Sequence, residues 1–142
     1  MTNLTASAQI DIEAAPQQVW KALTDPALIK KYFMGADVVT DWKPGSPITW
    51  KGEYQGKPYE DKGEIIDVVP EERLQHTHFS PMSGQPDEPE NYHTLSYTLE
   101  PQGKSTKVVL TQDNNGSEEE AERAGSTWAA MLDGLKKTVE ER

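Results

Sequence analysis

From Ser117 onward the chain changes its hydrophobic period, and that change limits the possible folds more than any other feature. Trp128, Met131, Leu132, Leu135 and Val139 recur at i, i+3, i+4, i+7 and i+11. This spacing draws one apolar stripe along a helix of about six turns. Ser117 with Glu120 has the pattern of a capping box, and the acidic run SEEEAE complements the positive end of the helix dipole. Lys136, Lys137 and Arg142 supply the opposite charge at the far end. A helix with one apolar stripe must lay it against something, and the rest of the chain offers mainly sheet.

Before the helix, the dominant period is two. LTASAQIDI alternates through Leu4, Ala6, Ala8, Ile10 and Ile12, as a half-buried first strand does. Pro16 then suits the first position of a short helix, with Val19, Trp20 and Leu23 at helical spacing. Asp25 caps a second short helix that opens at Pro26 and carries Leu28, Ile29, Tyr32 and Phe33. Strand material follows in ADVVTDW, ITWKGEY, YEDKGEIIDVV, RLQHTHFS, NYHTLSYTLEP and STKVVLTQDN, separated by turn clusters such as KPGSP, QGKP and QGK. GEYQGKPYEDKG reads as a hairpin whose charges form a solvated face. SPMSGQPDEPE, with three prolines and a glycine, is irregular, either a lid beside a pocket mouth or a plain connection. The expectation is an α+β fold: six to seven antiparallel strands curved around the long C-terminal helix, the two short helices plugging one end. With no repeat and no linker, residues 1–142 read as one domain.

Composition removes several function classes. A net charge of −10 with no basic stripe argues against nucleic acid and against docking on anionic membranes. No stretch is apolar enough to span a bilayer, and the N-terminus lacks a signal pattern, so the expected location is the cytoplasm. The absence of cysteine excludes disulfides, a thiolate nucleophile and a cysteine-based zinc site.

The chain has three histidines, and RLQHTHFS holds two of them. On a strand, His76 and His78 share a face with Leu74, while Gln75, Thr77 and Phe79 take the other. His93 shares a face with Leu95, Tyr97 and Leu99 on the next strand, so all three imidazoles are expected to look into one interior. Three imidazoles with an open position would suit zinc, but the spacing is poorly defined and no orienting carboxylate accompanies it, so no metal site is assigned. Acid/base catalysis would need a positioned partner, and no Ser-His-Asp pattern is visible. Nothing in the sequence calls for a cofactor.

The ordered set of segments resembles a known family. IEAAPQQVWKALTDPALIKKYF is similar to the strand–Pro–VW–LTDP–aromatic opening of START-like (SRPBCC) domains, and DWKPGSPITW to their glycine turn into a strand. GEIIDVVPEERLQHTH, TLSYTLEPQGKSTKVVLTQ and WAAMLDGLKKTVEE match the later strands and final helix. The subgroup resembled is that of homologues of the C-terminal domain of the activator of heat shock protein 90 ATPase. Two departures stand out: GSP replaces a paired glycine, and His76 and His78 occupy positions that are usually aromatic.

The resemblance implies the helix-grip fold of birch-pollen-type allergens, with a cavity between sheet and C-terminal helix. It implies as partner a hydrophobic or amphipathic small molecule of lipid, polyketide or aromatic type. A co-chaperone or stress-response module acting on a chaperone is the alternative, and a cavity enzyme using histidine acid/base chemistry is the second alternative. The residues expected to contact a ligand are Trp50, Tyr54, His76, His78, His93, Tyr97, Trp128 and Met131; no catalytic residue is assigned. Apolar walls with a few placed polar groups are what small-molecule pockets require.

Overall fold

The structure, a computed structural model, describes residues 4–33, 35–54, 56–80 and 84–141, with Tyr54 described in its backbone alone. Strand β1 (Leu4–Ile12) is followed by helices α1 (Pro16–Thr24) and α2 (Pro26–Tyr32). Strands β2 (Asp37–Val39), β3 (Pro47–Tyr54), β4 (Lys57–Val69), β5 (Arg73–His78), β6 (His93–Gln102) and β7 (Ser105–Asn115) come next, and α3 (Glu118–Glu140) ends the fold. All neighbouring strands are antiparallel in one seven-stranded sheet of order β1-β7-β6-β5-β4-β3-β2. This is the expected helix-grip α+β architecture.

Local chemistry sets the helix boundaries. Pro16 and Pro26 each open a helix, and the Asp25 carboxylate accepts from Ala27 N at 3.0 Å. Ser117 Oγ accepts from Glu120 N at 3.1 Å. The Glu120 carboxylate reaches back to Gly116 N, one residue before the cap, instead of the cap's own N–H. The stripe of α3 is buried as its spacing predicts: Trp128, Met131, Leu132, Leu135 and Val139 all face the core. They meet Ala8, Ile12, Leu95, Leu99, Val108 and Leu110 from the sheet and Val19, Ala22 and Leu23 from α1. A second apolar cluster, built on Ile29, Val38, Ile48, Trp50 and Ile65, lies under α2.

A buried polar chain locks the middle of α3 to the sheet. Trp128 Nε1 donates to Gln112 Oε1 at 2.7 Å, Gln112 Nε2 donates to Asn115 Oδ1 at 2.9 Å, and Asn115 Nδ2 donates to Leu4 O at 2.9 Å. These groups satisfy one another, so burying them carries no orphan penalty. The orientation of the Trp128 ring is fixed as a result.

Strand β4 passes against the backbone of β5 at Gly63. A Cβ there would stand 1.9 Å from the Thr77 carbonyl oxygen, so only glycine fits. The β4–β5 register shifts a little further on, between Ile65 and Asp67.

The Pro-rich segment after β5 requires a correction. Its described part, residues 84–92, lies on the outer face and not over the inner one. Phe79 pairs with Lys62 beyond the end of β5, stacks on Tyr92 with ring centroids 5.2 Å apart, and is 3% exposed. Tyr92 Oη donates to Asp87 at 2.6 Å, Lys62 pairs with Asp87, and Asn114 Nδ2 donates to the carbonyls of Glu90 and Tyr92. The segment therefore covers Phe79, the one apolar side chain that alternation places on the wrong side of β5. Its role as a lid is not what these contacts build.

Candidate functional site

Two spaces open from the inner face, and they differ greatly. The first, enclosed by Leu23, Ile29, Trp42, Ile48, Trp50, Leu74, His76 and Tyr97 among others, holds only about 20 Å³. That is room for about one water. The second is a groove of about 590 Å³ between the end of α2, the face of α3 and the ends of β4 and β5. Tyr32, Phe33, Trp128, Ala130 and Met131 give it apolar walls, and Asp61, His78, Ser80 and Thr127 supply its polar groups.

His76 belongs to the first space. It is 4% exposed, its Nδ1 donates to Thr77 O at 2.9 Å, and its ring lies 5.1 Å from Trp50 and 5.9 Å from Tyr97. Burial pushes its pKa down to about 4, with the neighbouring His78 acting in the same direction and the Thr77 carbonyl opposing. His76 is therefore a neutral imidazole near pH 7, with a fixed tautomer. Tyr97, buried beside it, has its phenol pushed well up by the same desolvation. Neither group is poised to exchange protons at neutral pH.

His78 belongs to the second space. Its Nε2 lies 2.9 Å from Asp61 Oδ2, both side chains are about one-seventh exposed, and Trp50 meets its ring edge-on at 5.1 Å. Nε2 takes the carboxylate, which leaves Nδ1 as the nitrogen able to meet a bound molecule. The pair exists because Gly63 lets β4 close over β5, bringing Asp61 across to the imidazole two rows away. Asp61 Oδ1 is buried without a hydrogen-bond partner, and so is the hydroxyl of Tyr59, which shares its face. Burial raises the Tyr59 phenol, and the Asp61 charge adds to the effect.

The comparisons are read on this geometry. Residues 13–140 match the family model described as Activator of Hsp90 ATPase homolog 1-like protein. The chain belongs to this family. The solution structure of ChR145 from Cytophaga hutchinsonii is 48% identical, with a TM-score of 0.86 over 99% of this chain and 97% of that one. The Aha1 dimer from Colwellia psychrerythraea is 23% identical, with a TM-score of 0.74 over 96% of each chain. DynU16, from the dynemicin biosynthetic locus, is 18% identical, with a TM-score of 0.79 over 96% of this chain and 47% of that one. The last two likenesses concern the fold alone. A search of curated proteins finds no match.

Within this Activator of Hsp90 ATPase homolog 1-like chain, the residues expected at the site divide. His78, Trp128 and Met131 line the groove, whereas Trp50, His76 and Tyr97 line the small space. The side chain of Tyr54 lies outside the described residues. His93 stands directly opposite His78 in the strand register and so on the same face, and its Nδ1 donates to the Asp113 carbonyl on β7 at 2.9 Å. Among the described residues, no three His, Asp or Glu side chains gather closely enough to hold a metal ion.

Asp61 is the residue that the sequence reading missed, because YEDKG looks like the solvated face of a hairpin. It is 9% exposed. A signal was present: Asp61, Gly63 and Ile65 alternate on one face, and Ile65 is wholly buried. Among the described residues, no helix is long and apolar enough to cross a membrane.

Proposed function

We propose that this protein binds a hydrophobic or amphipathic small molecule in the groove between α3, α2 and the ends of β4 and β5. The observation that carries this reading is the groove of about 590 Å³, walled by Tyr32, Phe33, Trp128 and Met131, with one His78–Asp61 pair at its base. Binding sites for small molecules have this size and this ratio of apolar wall to placed polar group. The likeness to DynU16, from the dynemicin biosynthetic locus, is consistent with a molecule of polyketide or aromatic type. Trp50, His76 and Tyr97 act from below, as a rigid base that keeps Trp50 against both histidines.

The test is a titration of the labelled protein with a panel of fatty acids, sterols and aromatic polyketides, followed by backbone and indole resonances. Saturable shifts at Trp128, Met131 and His78 are expected for at least one class. A panel that moves none of them would remove the reading.

The family description and the likeness to the Aha1 dimer favour a second reading, in which the protein stimulates a chaperone ATPase. Titrating it into a purified chaperone of the heat shock protein 90 class, with ATP turnover as the readout, separates the two. A groove substitution such as Trp128→Ala should spare ATPase stimulation if the chaperone docks elsewhere. Unchanged turnover at saturating protein would exclude this second reading. The third reading, histidine acid/base chemistry, would rest on the His78–Asp61 pair; His76, neutral and sealed, does not serve it.

A further inference from the structure

The groove's polar end is an unanswered acceptor. Asp61 uses Oδ2 for His78 Nε2, while its Oδ1 is shut off from water with no donor in reach. A buried acceptor left without a donor loses its hydration and gains nothing in return. Next on the same face of β4, the Tyr59 hydroxyl is buried and equally without a partner. Of the two, only Asp61 lines the groove, and an unpaired acceptor there is the mark of a missing partner.

The charge around the groove has one sign. Asp61 is its only carboxylate, and no lysine or arginine lines it among the described residues. The one group there that can carry positive charge, His78, already faces Asp61. An anionic head group would meet a carboxylate and no free cation, in a chain whose net charge is −10.

We infer that the ligand's polar end is a hydrogen-bond donor, a hydroxyl or a protonated amine, which Asp61 Oδ1 accepts, and that carboxylate-headed lipids are disfavoured. This rests on the groove being the binding site. A hydroxyl or an ammonium can each donate to Asp61, whereas an ether oxygen or a carboxylate can only accept. Entry of the head group needs a small turn of the carboxylate about its terminal torsion, which is soft for aspartate.

The experiment uses one apolar body with four ends: a naphthalene carrying a two-carbon arm that terminates in hydroxyl, ammonium, methoxy or carboxylate. Affinities are read by titration of the full chain at two salt concentrations, with NMR shifts locating the site. The hydroxyl probe should bind about tenfold more tightly than its methoxy counterpart, a comparison free of net charge. The carboxylate probe should be the weakest.

Asp61→Asn keeps an oxygen for His78 and turns the second position from acceptor into donor, so it should erase the hydroxyl probe's advantage over methoxy and lift the penalty on the carboxylate. Tyr59→Phe, at a position outside the groove lining, should leave the order of the four probes unchanged. Circular dichroism checks that both variants fold, and the four-probe comparison in the unaltered protein stands whether or not they do. If no probe shifts Trp128 or Met131, the groove itself is not the site and both readings fall. Should all four bind there equally, the groove stands and the donor inference alone is overturned.

Discussion

His76 and His78 sit two residues apart on the same face of β5, yet they inhabit different chemistry. His76 lines a space of about 20 Å³, packed between Trp50 and Tyr97 and donating to its own backbone. His78 opens on a groove of about 590 Å³ and faces a carboxylate. The difference comes from the partner strand. Opposite His76 stands Ile65, which seals it; near His78, Gly63 has no side chain and lets Asp61 come in. Identical residues acquire different surroundings from what β4 places across from them.

The close approach at Gly63 is the easiest point at which to destroy the contrast. Gly63→Ala would drive a methyl into the Thr77 carbonyl, which is backbone and cannot step aside. A loss of about 3 kcal/mol or more is expected in urea unfolding, together with loss of the His78–Asp61 pair. Retention of wild-type stability would show that β4 does not need the close approach.

Acid sharpens the same comparison. His76 binds its proton less readily folded, at about 4, than unfolded, at its ordinary 6.5. The unfolded chain therefore holds more protons in that window, so its contribution is present above pH 6.5 and is lost as pH falls from 6.5 towards 4. The loss should approach about 3 kcal/mol, and His76→Phe should flatten that portion of the stability–pH curve. An unaltered slope in the variant would assign the acid sensitivity elsewhere.

Next in size is the groove wall. Trp128→Phe leaves the apolar face largely intact but removes the donor to Gln112 Oε1, which is then buried and unpaired. About 1–2 kcal/mol of stability should go. The resonances of Asn115 and the middle of α3 should report the loosened polar chain. The smallest effect on stability belongs to Asp61→Asn. The hydrogen bond to His78 can persist, so less than about 1 kcal/mol is expected, while the ligand preference changes. A large stability loss from this change would make the pair a structural element and not a binding one.

The periodicities made most of the architecture legible. The stripe from Trp128 to Val139 buries as its spacing requires, Pro16, Asp25 and Ser117 set the helix starts, and alternation from Leu74 puts both histidines inward. These are local properties, fixed by neighbours along the chain. Phe79 looked anomalous because its cover, Tyr92, lies across an irregular segment whose path no period encodes. Alternation set only the face of His93; its place opposite His78 and its hydrogen bond to the Asp113 carbonyl depend on how β6 meets β5 and β7. Asp61 looked solvated for the same kind of reason: parity makes it inward, but its partner depends on the close approach and register between β4 and β5.

The sequence by itself therefore determined the element order, the curved antiparallel sheet closed by an amphipathic helix, and the face each histidine takes, because period and capping act over a few residues. Only the tertiary structure decided that the space beneath the helix divides into a small space and a larger groove, and that the carboxylate at the groove's base is Asp61. Volume and pairing depend on strand register and on where side chains distant in sequence come to rest, and a glycine that admits another strand leaves no trace in hydrophobic period.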